Sequence, residues 1–425
     1  MTVRALVTSV AALCGAALIF GGAATGALSA PTGWVTSWAT GLQSIPELTD
    51  PPMLYRAPDV GGRTVREIVY PTLSGRAVRI RMSNIYGRTP LEVADVRIAQ
   101  SAGGASVRSG TSMPVTFGGR TSIVVAPGRE VDSDPIAIDM HAGVPYAISI
   151  LAGAQQRVTA WHRVANQINY VSTQGDHTTD IGAGAFSKRF TEHAWVSALT
   201  VDAVAPAAAV VAIGDSITDG LRSSLNRNRR WPDVLARRIG EAGDRTTAVL
   251  NLGISGNRLL SDSPCYGEAL ERRFDRDALS QQGVKTIVLM IGINDINFAA
   301  MPPRVGLDCD APHTTVTAGD LIAGYRHLVD AAHRRGVRVI GATMTPAALP
   351  PERERIRTAV NEWIRTGRAF DGVVDFDAVL RDPAQPGQLR RDYDSGDRIH
   401  PNDDGYAAMA VAVPLAWLTA SGRGS

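Results

Sequence analysis

The sequence predicts two parts in succession: a β-sandwich of jelly-roll-like pattern, then a three-layer α/β/α domain built on a parallel sheet. Three observations carry this. From residue 34 to about residue 200, β-branched runs near alternation follow one another with no helical periodicity between them. From residue 207 onward, short apolar runs alternate instead with amphipathic helical stretches. At 425 residues, with 44% hydrophobic and 20% charged side chains, the chain has room for two or three domains and the composition of a folded protein. A disordered or fibrous chain is excluded.

In the first part the strands are expected at 64–70, 77–82, 91–99 and 135–151, with turns at Ser74-Gly75, Gly118-Gly119 and Pro127-Gly128. Strands at this spacing suit a sandwich. Trp34, Trp38, Trp161 and Trp195 fall in or beside this region and are expected in its core, the alternative being a stacking platform for sugars. Residues 169–178, rich in turn formers around Gly175-Asp176-His177, are expected to face the second part. The boundary falls at 202–206, which gives domains at 34–202 and 207–421.

The second part opens with the apolar run 207–213, followed by 249–252, 286–291, 337–342 and 373–376. Runs this short and this apolar are strands covered on both faces. The clearest helix begins at Thr317, whose hydroxyl caps it while Asp320 completes a capping box. Leu321, Ile322, Tyr325, Leu328, Val329 and Ala332 line one face, and Gly336 ends it.

Residues 1–30 carry one early charge, Arg4, then an apolar run and a stretch of small residues, the pattern of a signal peptide for secretion, with cleavage between 24 and 30. An uncleaved anchor is the alternative, because no charge interrupts 5–45. Cys14 follows Leu13 and not a small residue, which argues against lipidation. Beyond this stretch no segment is apolar enough to span a bilayer. Cys265 and Cys309 would be the remaining cysteines of an exported chain, and a disulfide between them is expected. Closing that loop would contribute about 4 kcal/mol in the chain-entropy model. Two buried thiols are the alternative.

A formal net charge of +2 gives no field that would favour nucleic acid. His141, His162, His177, His193, His313, His327 and His333 show no metal-ligand spacing, so neither metal nor cofactor is expected.

Four segments lie where a parallel sheet opens its ligand crevice, at the carboxyl ends of strands. Gly214-Asp215-Ser216-Ile217-Thr218-Asp219-Gly220 follows the first apolar run, and its glycines permit a tight turn that lifts the Ser216 hydroxyl. Residues 251–258 follow the second run and include Gly253 and Gly256, while Gly292-Ile293-Asn294-Asp295 follows the third. Near the end stands Asp397-Arg398-Ile399-His400, a carboxylate and an imidazole three residues apart. Taken singly, each also reads as ordinary turn or cap chemistry. Together and in this order they resemble blocks I, II, III and V of the SGNH hydrolases, the GDSL esterase/lipase family, over about 210 residues.

The resemblance implies a flavodoxin-like parallel sheet, Ser216 as nucleophile, His400 as general acid/base and Asp397 as its orienting partner. It also implies an oxyanion hole made of the Ser216 and Gly256 amides and the Asn294 side chain. Asp215 and Asp295 read as structural, and Asn257 and Arg258 as candidates for touching substrate. A secreted serine esterase of small-molecule, lipid or carbohydrate esters is the expectation. A carbohydrate O-deacetylase and an acyltransferase using the same acyl-enzyme are the alternatives.

Overall fold

The computed structural model describes Thr2, residues 32–46, Leu48 and residues 50–419; the expected export signal at 1–30 lies outside these residues, Thr2 apart. From Thr32 onward the chain forms one compact unit.

The β-rich part holds two larger antiparallel sheets. One runs in the order Thr32–Ala39, Val196–Val204, Gly75–Ser83, Ile136–Met140. The other has Asn169–Gln174, Arg63–Val69, Tyr146–Ala152 and Leu91–Gly103 side by side. Alternation decides what lies between them. Val78, Ile80 and Met82 of the first sheet join Val65, Val69, Ile148 and Ile150 of the second in one core. Ile68, Ala147 and Tyr170 point the other way, into a smaller cluster. A short third sheet, Gln43–Ser44, Ala160–His162 and His193–Ala194, reaches toward the second part.

Two sequence expectations need correction here. The run 135–151 is two strands, because the chain turns at Ala142 and Gly143, whose φ is +76°, before Pro145. Residues 169–178 are not a loop of turn formers throughout: Asn169–Gln174 is a strand of the sandwich whose Asn169 accepts from the Ile68 amide, while the neighbouring Ile168 amide donates to Asn226 Oδ1 of the second part at 2.7 Å. Trp161 and Trp195 are buried, whereas Trp34 and Trp38 are half-buried. Arg79 stacks on Trp34 at 4.4 Å.

The second part is a parallel sheet in the order Thr247–Gly253, Ala208–Gly214, Val284–Met290, Arg338–Ala342, Gly372–Val374. In chain order this is 2-1-3-4-5, the flavodoxin-like arrangement expected from the sequence. Strand Ala208–Gly214 shows why helices must cover both faces: Ala209, Val211 and Ile213 enter one core and Val210 and Ala212 the other. Ala318–Arg334 and Pro351–Thr366 cover the first face. Trp231–Glu241 and Asp403–Ala412 cover the second.

The helix expected after Thr317 runs over Ala318–Arg334. Thr317 Oγ1 accepts from the Asp320 amide at 3.2 Å, and the Asp320 carboxylate accepts from the Thr317 amide at 2.8 Å. Gly336, at φ +67°, turns the chain out while the Val337 amide bonds back to Ala332 at 3.0 Å. Among the described residues no helix is long and apolar enough to cross a membrane.

Removing the cap should cost what a lost N-cap hydroxyl usually costs. Thr317→Ala is expected to lower the unfolding free energy by about 1 kcal/mol, read from urea midpoints at unchanged slope.

Candidate active site

Strand Ala208–Gly214 lies between Thr247–Gly253 and Val284–Met290, so the loops after all three strands meet at one point of the carboxyl edge. Ser216 opens the one-turn helix Ser216–Asp219 there. Asp215 caps that turn, its carboxylate accepting from the Ile217 amide at 3.0 Å, and Gly220 closes it at φ +91°. Gly214 has no room for a Cβ, which would collide with the Met290 carbonyl on the neighbouring strand.

Ser216 Oγ is 2.8 Å from His400 Nε2, and His400 Nδ1 is 2.8 Å from Asp397 Oδ2. The other oxygen of Asp397 accepts from the backbone amides of His400 at 2.8 Å and Ile399 at 3.0 Å. Burial alone would raise this carboxyl. The hydrogen bonds from the His400 ring and from the two amides outweigh burial and hold Asp397 well below the usual carboxylate range. With a carboxylate accepting at Nδ1, that nitrogen carries the proton and Nε2 faces the serine as an acceptor. Arg398 sits between the two residues at φ +66°, a left-handed conformation that lets Asp397 fold back over the turn.

The other two predicted positions lie alongside. Asn294, buried in the helix Ile293–Phe298, gives one side-chain hydrogen to the Asn257 carbonyl at 2.9 Å and keeps the second. Gly256 is at φ +82°, and a Cβ there would run into the ring of Tyr266. Among the described residues neither the Ser216 nor the Gly256 amide has a backbone or side-chain acceptor within the chain.

Three residues that hold this geometry are not apparent from the sequence pattern. Asp219, at the end of the Ser216 turn, accepts from Ser255 through both its amide at 2.8 Å and its hydroxyl at 2.6 Å. That fixes the loop bearing Gly256 against the turn bearing Ser216. Arg273 is fully buried and bonds to the carbonyls of Gly214 and Leu252 and to Asn257 Oδ1, each at 3.0 Å. His162 of the β-rich part contacts Asp219 at 3.1 Å. No local motif announces these residues, because each acts across a long stretch of chain.

Asn257 and Arg258, candidates for touching substrate, are instead buried and committed to the backbone. Asn257 donates to the carbonyls of Tyr266 at 3.0 Å and Glu268 at 2.8 Å. Arg258 binds the carbonyls of Asp310 at 3.1 Å and Pro312 at 2.9 Å. Asp295 accepts from the amides of Leu259 at 2.7 Å and Leu260 at 2.9 Å. Cys265 and Cys309 form a disulfide 44 residues apart, joining the loop after Gly256 to the loop that Arg258 clamps. A cavity of about 450 Å³ lined by Tyr70, Arg237 and Arg245 lies elsewhere and includes none of the four predicted blocks.

Residues 212–408 match the family model of the GDSL-like lipase/acylhydrolases. This part of the chain is a GDSL-like lipase/acylhydrolase domain, and the protein is a carboxylic ester hydrolase. Among curated proteins none matches. Solved structures similar to it include a member of the lipolytic G-D-S-L family from Veillonella parvula, at 18% identity and TM-score 0.34, covering 48% of this chain and 96% of that one. A GDSL-like lipase from Bacteroides thetaiotaomicron is 20% identical, with TM-score 0.34 and coverage of 49% and 86%. A catalytic mutant of an acetylxylan esterase from Geobacillus stearothermophilus is 21% identical, with TM-score 0.37 and coverage of 48% and 91%.

The Asp215 carboxyl provides a pH signature. Burial, opposed by the Ile217 amide and reinforced by Asp295 and Asp219, pushes it up to about 7. A carboxyl raised on folding favours the fold while protonated, and that contribution is lost as pH rises from about 4 to about 7. Asp215→Asn keeps the cap and cannot ionise. Its stability relative to the native protein is expected to improve by a few kcal/mol between pH 4 and pH 8, measured by denaturant unfolding.

Proposed function

We propose that the protein is an exported serine esterase working through an acyl-enzyme. The observation that carries this reading is the continuous chain from Ser216 through His400 to Asp397, with 2.8 Å at both links. His400 Nε2 takes the Ser216 proton as Oγ attacks the ester carbonyl, and the carbonyl π electrons move onto oxygen. The Ser216 and Gly256 amides and the free Asn294 hydrogen stabilise that oxyanion. On its collapse the alkoxide leaves, taking the proton from His400, and the acyl group stays on Ser216. Water then repeats the sequence: His400 removes its proton, hydroxide adds to the acyl carbon, and Ser216 leaves with the proton returned. Asp397, ionised throughout, holds the imidazole in register and stabilises it while charged.

The same intermediate serves lipid, simple and acetylated carbohydrate esters, and an alcohol in place of water would make the enzyme a transferase. Acetate release from acetylated xylan, set against nitrophenyl esters of rising chain length, separates the substrate classes. We place the acyl group in the short to medium range.

A fluorophosphonate probe is expected to label the native protein and not Ser216→Ala. Labelling that survives this substitution would rule Ser216 out as the nucleophile. Asn294→Ala, folded by circular dichroism, is expected to lose about 100- to 1000-fold in kcat with KM little changed. Unchanged kcat would remove Asn294 from the oxyanion hole.

A further inference from the structure

We propose that His162 is a positioning residue for the oxyanion loop, so that the β-rich part of the chain completes the active site of the α/β part. The inference rests on the serine esterase reading above.

His162 ends the strand Ala160–His162 and is buried against the Ser216 turn. Its Nδ1 lies 2.8 Å from the Gly41 carbonyl, and its Nε2 lies 3.1 Å from Asp219 Oδ1 and 3.2 Å from the Val164 carbonyl. Every one of these partners is an acceptor. Nε2 answers Asp219 Oδ1 as a donor, which ties a buried side chain of the Ser216 turn to the β-rich part. Its strand neighbour His193 turns elsewhere, with Nδ1 3.3 Å from Asn169 Nδ2 and 3.4 Å from Glu67 Oε2.

What Asp219 does with its second oxygen gives the pair its consequence. Oδ2 holds both the amide and the hydroxyl of Ser255. The peptide that joins Ser255 to Gly256 carries the Gly256 amide, a proposed oxyanion donor. Asp219 is also tied to the nucleophile, because its own amide bonds to the Asp215 carbonyl at 2.9 Å within the same turn. One carboxylate therefore sets the distance between two donors that must converge on one oxygen. A second contact supports the same turn: Asn166 Nδ2 donates to the Gly220 carbonyl at 2.6 Å and to Ser223 Oγ at 3.0 Å.

Without His162, Asp219 Oδ1 loses a buried hydrogen-bond donor and either turns toward another donor or draws in water. Either change turns the side chain, so the hold of Oδ2 on Ser255 loosens. The Gly256 amide then drifts from its position. The interaction lost is one made to the transition state, so the effect falls on kcat and spares KM.

The test compares His162→Phe and His162→Gln in the full-length chain, with folding checked by thermal melting and nitrophenyl acetate as substrate. Phe keeps the ring and removes the donor toward Asp219, whereas Gln restores one. His162→Phe is expected to lose about 10- to 100-fold in kcat with KM held within about twofold, and His162→Gln to recover a large part of the loss. A folded His162→Phe with native kcat overturns the proposal, as does a His162→Gln as impaired as His162→Phe. If His162→Phe does not fold, Ser255→Ala reads the same relay from its other end: lower kcat at constant KM supports it, and native kcat overturns it. Failure of the esterase reading would appear separately, as a native protein that the fluorophosphonate probe does not label at Ser216.

Discussion

The site depends on one buried cation at the carboxyl edge of the sheet. Arg273 has no contact with solvent, and four of its five donors are answered inside the protein. They are answered by the carbonyls of Gly214 and Leu252, the side-chain oxygen of Asn257 and, at 3.1 Å, the Asp277 carboxylate. The first two are the points at which the chain leaves strands Ala208–Gly214 and Thr247–Gly253. The loops bearing Ser216 and Gly256 therefore depart from fixed positions, and Asn257 passes the constraint on to Asn294 through its carbonyl. Leaving such a cation partly unanswered would cost several kcal/mol, so these contacts stand or fall as a set.

Around that anchor, carboxylates carry the finer adjustment. Asp215 caps the Ser216 turn, Asp219 binds the Ser255 loop, Asp295 binds the Leu259 and Leu260 amides, and Asp397 binds its own turn and the imidazole. A carboxylate that accepts backbone amides acts as a rigid clamp, because charge-assisted bonds are shorter and stronger than neutral ones. The burial that raises Asp215 toward 7 works the other way from the partly buried, amide-rich setting that holds Asp397 low. The carboxylate beside His400 is the one that accepts two amides and the imidazole, and it is only partly buried.

Much of this was legible in the sequence because it is local. The apolar runs ending at residues 213, 252 and 291 mark strands with both faces covered, and the loops after them bring Ser216, Gly256 and Asn294 to one edge whatever the helices do. The cap at Thr317 needs only four residues to be recognised. The missed features have other causes. The turn between Met140 and Tyr146 hid inside a run of β-branched residues that reads as one strand. Arg273 and Asp219 carry no pattern of their own, since an arginine in a charged helix and an aspartate before a glycine look like solvent-facing residues until the strand ends close over them. Asn257 and Arg258 show the converse: their place beside Gly256 suggests substrate contact, and their hydrogen bonds go to backbone carbonyls and, for Asn257 Oδ1, to Arg273. His162 was least accessible of all, because its partner is 57 residues away in a part of different architecture.

The central claim is that Ser216 becomes acylated during turnover. Acid quenching of the enzyme within its first turnovers of nitrophenyl acetate, followed by peptide mapping, tests this directly. The account predicts an acetyl group on the peptide containing Ser216, at Ser216 itself, appearing with a burst of nitrophenol. Turnover with no acyl group at that position, or with the acyl group on another residue, would contradict it.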